Sequence, residues 1–253
     1  MELGLKGKTA IVTGGTAGIG RAITEMLAEE GCSVAACDIE PEEAADAFVQ
    51  SVTASTGTSC IAIHADVSRE EDIKEINNRV ISEYGGYDIL VNNAGIITTA
   101  ECTKMSLSEW ERVLGVNLTG VFLASKAAIA HFKERGSGGR IINMTSKSAF
   151  RGTYSGHVHY SASKMGVVGL TRTLALETAG LGICVNAIAP GIVDTAIMAE
   201  KMTVSREQYE RDIPLGRVAE PREIAYAVVF LASVMGGYIT GSTLDVSGGI
   251  MLR

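Results

Sequence analysis

The sequence predicts an α/β fold, and three features carry that expectation. Its first apolar run, Thr9-Ala10-Ile11-Val12, passes straight into a glycine cluster and then into an amphipathic helical stretch. Short apolar runs bounded by turn residues then alternate with helical periods down the chain. The 253 residues suit one large α/β domain, and no internal repeat or low-complexity segment divides them.

Bulk composition narrows the function classes. Hydrophobic residues make up 46% and there are only 4 prolines, as expected for a globular chain with a large core. The net charge is -7 with both signs interspersed, which argues against nucleic acid or an anionic membrane as partner. Cysteines fall at 32, 37, 60, 102 and 184 with no CxxC pair, and read as free, mostly buried thiols in a reducing compartment. No His/Cys cluster has metal-ligand spacing, so no metal is expected. Residues 1–8 lack the apolar core of a signal peptide. The longest apolar run, Ala225 to Met235, is too short to span a bilayer. A cytoplasmic protein is the expectation.

In order, the first strand at 9–12 leads into Thr13-Gly14-Gly15-Thr16-Ala17-Gly18-Ile19-Gly20. A helix follows over Arg21 to Glu30, with Ile23, Met26 and Leu27 on one side and Gly31 at its end. Strand, glycine loop and helix together form a cradle: glycines let the backbone approach a pyrophosphate, whose charge sits at the helix N-terminus. The alternative is a glycine-rich turn without ligand. Ser33 to Cys37 is a second strand and ends at Asp38, 18 residues past Gly20. A carboxylate there accepts from the adenosine ribose hydroxyls and repels a 2′-phosphate. Ala17 and Ile39 offer no cation for that phosphate, so NAD(H) is expected over NADP(H). Asp38 also suits a helix N-cap before Pro41.

A helix over 41–55 leads to a strand at 59–64, in which His64 reads as a satisfied core residue. Asp66 and Val67 at its end suit an adenine amino group and ring face. Asp66 suits equally well a cap on a helix near 69–84, where Ser68-Arg69-Glu70-Glu71 resembles a capping box. Tyr87 to Val91 is the fourth strand. Asn92-Asn93-Ala94-Gly95 closes it, with Asn92 read as a tie between strands and the small residues leaving room for a ligand. One long helix is expected over Ser106 to Phe132, capped by Ser106 and Glu109, with Asn117 inside it. Gly139 to Ser146 is a strand ending in hydroxyls. A helix over 160–179 places Tyr160 and Lys164 on one face. Tyrosine titrates near pH ~10, and a neighbouring ammonium favours the phenolate; lowering it by about 3 units takes roughly 4 kcal/mol, the expected joint contribution of that cation and a bound, positively charged nicotinamide. A solvated Tyr and Lys is the plain alternative. Ile183 to Ala189 is the sixth strand and Ser242 to Val246 the last, with a helix beginning near 220–225 between them.

Thr13 to Gly20, Asn92 to Gly95 and Tyr160-x-x-x-Lys164, in this order, resemble the short-chain dehydrogenase/reductase family over essentially the full chain. The resemblance implies a single Rossmann-type doubly wound domain spanning 1–253. It has a seven-stranded parallel sheet with helices on both faces, and is usually a homotetramer. It implies Tyr160 as general acid–base and Lys164 as the cation that lowers its pKa and bonds the nicotinamide ribose. Ser146 holds the substrate oxygen, with Ser148 and then Thr145 as fallbacks, because Ser146 precedes Tyr160 by one position more than the family pattern. That extra residue is assigned to a loop from Ala149 to His159. Asn117 would bind a water of a proton relay; a polar interface residue is the alternative. Pro190, Gly191, Val193 and Thr195 would hold the carboxamide, and a lid over about 194–213 would close on substrate. The same likeness adds Asn93, Ala94 and Gly95 to the cofactor cleft.

The loop's Arg151, Tyr154, His157 and His159 are either surface or pocket residues, with His157 taken as a substrate contact. Their polarity suits a sugar, polyol or other small hydroxylated substrate. Ser247-Gly248-Gly249 stands where many relatives carry Asp-Gly-Gly, and the tail Ile250-Met251-Leu252 suits a subunit interface. The implied activity is NAD(H)-linked hydride transfer between nicotinamide and a secondary alcohol or ketone. An NADP(H)-dependent 3-oxoacyl thioester reductase, a non-catalytic dinucleotide-binding regulator, and an epimerase or dehydratase are the alternatives.

Overall fold

The computed structural model describes residues 2–152 and 156–252, with side chains except at 197, 200–202 and 204. Its centre is a seven-stranded, wholly parallel sheet of β1 (Thr9–Thr13), β2 (Ser33–Asp38), β3 (Cys60–His64), β4 (Ile89–Asn92), β5 (Gly139–Met144), β6 (Ile183–Pro190) and β7 (Thr243–Val246). The strand order is β3-β2-β1-β4-β5-β6-β7. Chain order reverses direction between β1 and β4, so a crevice opens at their carboxyl ends.

Both faces are covered. The helices are α1 (Gly18–Glu29), α2 (Glu42–Thr56), α3 (Glu70–Tyr84), α4 (Leu107–Leu114), α5 (Gly120–Arg135), α6 (Lys147–Arg151), α7 (Val158–Thr178), α8 (Ala199–Asp212) and α9 (Pro221–Ala232). Strand alternation sorts the core. Ala10, Val12, Ile142 and Ile188 face one layer, with Ile23 and Leu27 of α1, Phe48 of α2 and Val228 of α9. Ile11, Ile141 and Val185 face the other, with Ile76 of α3, Ala128 and Phe132 of α5 and Ala175 of α7.

Several expectations are corrected. The long helix expected over 106–132 is present and continuous over Leu107–Arg135, but it is not regular: α4 and α5 are joined by a π turn over Gly115–Thr119. The wider turn, closed by Gly120 N–H on the Gly115 carbonyl, carries Asn117. Ser106 does cap α4, accepting from Glu109 N–H at 3.1 Å, but the Glu109 carboxylate turns instead to Thr98. The capping box at Ser68–Glu71 does not form: Asp66 Oδ1 accepts from both the N–H and the hydroxyl of Ser68, and Asp72 accepts from Asp66 N–H. His64 is exposed rather than core, because β3 is an edge strand; its ring meets the Glu40 carbonyl at 3.2 Å. All five thiols are free, but only Cys32 and Cys37 are buried.

Residues 149–151 belong to α6 rather than a loop, and the 196–212 segment is largely the helix α8. Ile250 packs within its own chain against Ile192, Ile213 and Val218, leaving Leu252 exposed. Taken together, Leu107–Arg135 is long and apolar enough to cross a membrane by length and composition, which Ala225 to Met235 is not. Its apolar content has another cause: Val121, Ala124, Ala128 and Phe132 bury themselves within the chain, the last three against the sheet.

Candidate active site

The glycine loop after β1 is stitched to the end of β4. Gly14 has φ +61, and a Cβ on it would lie 3.0 Å from both Ala94 Cα and Asn93 Nδ2. A Cβ on Gly20 would run into the Gly14 carbonyl oxygen. Asn93 Nδ2 donates to the Thr13 and Gly14 carbonyls at 3.0 and 2.9 Å. Thr13 Oγ1 accepts from the N–H groups of Asn93 and Ala94. Ala17 is extended and no side chain caps α1, so the first-turn donors at Gly18, Ile19 and Gly20 face the crevice end without a capping acceptor. Packing leaves no room for a side chain at 14 or 20, and the uncapped first turn of α1 suits the pyrophosphate of a dinucleotide.

Asp38 closes the other side. Its Oδ2 accepts from Thr16 N–H and Oγ1 at 3.1 and 2.7 Å, and Oδ1 from Ile39 N–H at 2.9 Å. The carboxylate thus anchors the loop, with lone pairs left for further donors. Asp66 is engaged by Ser68, as above. Val67 is buried against Gly120, where a Cβ would come within 2.9 Å of it. On the far side, Val193 bridges to Ala219, and Thr195 Cγ2 lies 3.5 Å from the Cβ position of Gly18. That contact brings the loop after Pro190 and Gly191 over the start of α1.

The end of β5 meets α7. Lys164 is buried, and its Nζ donates to the Met144 carbonyl at 2.9 Å. It stands 5.8 Å from the Tyr160 ring centre. Thr145 Oγ1 bonds the Lys164 carbonyl at 2.7 Å, so this fallback hydroxyl is structural. Ser146 caps α6, its Oγ accepting from Ser148 N–H at 3.2 Å. Gly95 leaves a gap in which a Cβ would sit 3.3 Å from both Lys164 Nζ and Asn117 Oδ1. The Asn117 amide is fully buried and brackets Ile96: Oδ1 accepts from its N–H at 2.8 Å, and Nδ2 donates to its carbonyl at 2.9 Å. Asn117 Nδ2 also reaches Ser163 Oγ at 3.2 Å.

Burial raises the Tyr160 phenol above its ordinary value, with the Ser146 side chain acting the other way. Burial also lowers Lys164 to about 8. Both groups are pushed toward their neutral forms, because desolvation outweighs a lysine whose bond goes to a carbonyl.

Of the polar loop, His157 is buried, 3.0 Å from Thr99 Oγ1, with its ring edge-on to Tyr160 at 6.4 Å. Arg151 turns to the Ile250 carbonyl, His159 is inside, and Tyr154 lies outside the described residues. Asn92 ties strands as expected, donating to Asn143 Oδ1 at 2.8 Å and Ser125 Oγ at 3.0 Å. Asn143 in turn donates to Thr171 Oγ1 at 2.9 Å. Sequence reading gave no role to Thr13, Asn143, Ser163 or Thr98. For Thr13 and Asn143 the signal was a polar residue at or near the end of an apolar strand. Among the described residues no three His, Cys, Asp or Glu side chains converge on a metal position.

A family described as enoyl-(acyl carrier protein) reductase matches residues 14–251. The chain is 43% identical over 250 residues to a 3beta-hydroxysteroid dehydrogenase 1 of Eggerthella lenta, covering 98% of this chain and 95% of that protein. It is 40% identical over 251 residues to the 3-oxoacyl-[acyl-carrier-protein] reductase FabG of Aquifex aeolicus, covering 99% and 100%. Among solved structures, a short-chain type dehydrogenase/reductase from Mycobacterium marinum superposes with a TM-score of 0.94 at 33% identity, covering 100% and 98%. A putative 2-deoxy-d-gluconate 3-dehydrogenase from Agrobacterium tumefaciens with bound NADP does so at 0.91 and 34% identity, covering 100% and 99%. With likeness of this extent, and an all-parallel sheet whose crevice joins a dinucleotide cradle to Ser146, Tyr160 and Lys164, the chain belongs to the short-chain dehydrogenase/reductase family of oxidoreductases.

Proposed function

We propose that the protein is an NAD(H)-dependent dehydrogenase/reductase that interconverts a secondary alcohol and a ketone on a small hydroxylated molecule, such as a sugar or polyol. The observation that carries this reading is the convergence of Ser146, Tyr160 and Lys164 at the end of β5, beside Gly95 and the glycine loop. When bound, the nicotinamide supplies hydride exchange with the carbinol carbon. Tyr160 Oη takes the hydroxyl proton in oxidation and returns it in reduction. Ser146 Oγ holds the substrate oxygen. Asn117 fixes the Ile96 backbone beside Lys164 and serves the proton relay to solvent. His157, edge-on to Tyr160, lines the substrate side, and α8 is the lid. Burial holds the phenol's proton, and positive charge beside it acts in the opposite direction.

Asp38 supports NAD(H): its carboxylate stands at the end of β2, with Ala17 and Ile39 as uncharged neighbours. A second reading, an NADP(H)-linked 3-oxoacyl thioester reductase, is favoured by the Aquifex relative and by the NADP in the Agrobacterium structure. A cytoplasmic homotetramer fits the free thiols and the apolar surface on α5, α7 and α9, including Phe122, Met165, Leu176 and Phe230.

The test is reduction of NAD+ and NADP+ by purified protein across secondary alcohols, polyols, sugars and hydroxysteroids, followed by reduction of ketones and 3-oxoacyl thioesters. Turnover with NAD+ on a hydroxylated substrate, lost in Tyr160→Phe with cofactor binding intact, is expected. A Tyr160→Phe protein that keeps turnover overturns the acid–base assignment, and activity confined to NADPH and thioesters favours the second reading.

A further inference from the structure

The first turn of α7 is held from outside by side chains. Val158, His159 and Tyr160 precede the first helical hydrogen bond, which Ser161 N–H makes to the His157 carbonyl at 2.9 Å. The spare N–H of Tyr160 donates to His159 Nδ1 at 2.9 Å. A backbone N–H can only donate, so Nδ1 is the bare nitrogen and the neutral ring carries its proton on Nε2. Nε2 faces Thr98 Oγ1 at 2.8 Å, and the Thr98 hydroxyl donates onward to Glu109 Oε1 at 2.7 Å. His159 has no exposed surface, so bulk water does not reach its ring, whereas Thr98 and Glu109 are partly exposed. The Tyr160 carbonyl is held as well, by Ser163 Oγ at 2.8 Å. Segment 98–100 is fastened to the same turn by Thr99 on His157 and by Ala100 N–H on the Gly156 carbonyl at 3.0 Å.

We propose that His159 is a positioning residue for Tyr160, with Thr98 and Glu109 fixing the ring state that leaves Nδ1 free to hold the Tyr160 N–H. The role rests on the reading of Tyr160 as acid–base. Glu109 on α4 and Thr98 at the crevice rim thereby set where the phenol stands relative to Ser146 and Lys164.

Two substitutions separate the two ends of the ring. Asparagine at 159 presents an acceptor near the Nδ1 position, whereas glutamine reaches toward Nε2 and leaves the Tyr160 N–H bare. Expected values are kcat within about threefold of wild type for His159→Asn and a loss of roughly tenfold or more for His159→Gln, at unchanged KM and NADH affinity. Thr98→Val should lower kcat in the same way and Thr98→Ser should restore it. A readout free of turnover is the ultraviolet titration of Tyr160 with NAD+ bound, blanked with Tyr160→Phe; the phenol should titrate at higher pH in His159→Gln than in His159→Asn. Equal kcat and equal titration in the Asn and Gln variants overturn the proposal, as does a loss confined to melting temperature or NADH affinity. An active Tyr160→Phe would instead overturn the acid–base reading, whereas an inactive one beside a fully active His159→Gln would overturn only the positioning role.

Discussion

Replacing Lys164 with methionine removes a buried ammonium whose one hydrogen-bond partner is the Met144 carbonyl. Burial lowers this amine from 10.5 to about 8, which corresponds to about 3 kcal/mol of stability withheld from the cofactor-free fold at neutral pH. The variant also loses the bond to Met144, worth roughly 1 kcal/mol net. Methionine fills much the same volume, so the variant should be more stable than wild type by about 2 kcal/mol, or about 4–8 °C in melting temperature for a chain of this size. The sign follows from proton counting. Below pH 8 both folded and unfolded wild-type chains carry the proton and the penalty is complete. Between about 8 and 10.5 the folded chain has released it while the unfolded chain keeps it, so wild-type stability rises with pH and the gap to the variant closes. Tyr160 does not reverse this trend at the lower end of the window, because burial keeps its phenol protonated there. Melting curves of both cofactor-free proteins across that range measure it, and the variant should be inactive. A methionine protein less stable than wild type at neutral pH, or a gap that stays constant to 10.5, would refute the reasoning.

Three further outcomes are expected. Gly20→Ala should abolish NADH binding, measured by cofactor fluorescence, and cost at least about 2 kcal/mol, because its Cβ meets the rigid Gly14 carbonyl rather than a side chain that can move. Asn143→Val should destabilise by about 2–3 kcal/mol in a urea titration, since the buried Asn92 amide and Thr171 hydroxyl each lose a partner. Asp38→Ala should erode the preference for NAD+ over NADP+ and, by releasing Thr16, weaken both; a variant with undiminished NAD+ preference would remove the carboxylate from the cofactor argument.

Most strands were legible because the apolar runs of β1, β2, β4, β5 and β6 are buried on both faces, and such runs announce themselves whatever their neighbours. Neighbours are what the sequence hides. His64 alternates with apolar residues like a core position, but β3 ends the sheet and leaves the side chain exposed. Cys60, on the same strand, is half-open for the same reason. The π turn was hidden differently. Widening one turn leaves Val113 and Val121 on the buried side of their separate helices, so the apolar period gives little warning. The one local sign was Asn117 inside a helix, and its amide does bracket a neighbouring backbone segment.

At the site, position was more legible than charge. The spacing of Tyr160 and Lys164 places both on one helix beside Ser146, as the residue pattern indicates. A charge-only argument then lowers the tyrosine, because a nearby cation enters it and desolvation does not. In the folded chain desolvation is the largest influence on both groups, and it acts on them in opposite directions. A buried phenol that keeps its proton beside an amine near 8 leaves the pair positively charged below about pH 8 and neutral only above it. Either state places less separated charge in the crevice than a phenolate and an ammonium held apart would. Burial therefore opposes ionisation of Tyr160, and a positive charge beside the phenol acts in the other direction. The same burial that raises the phenol also strengthens its response to any nearby charge.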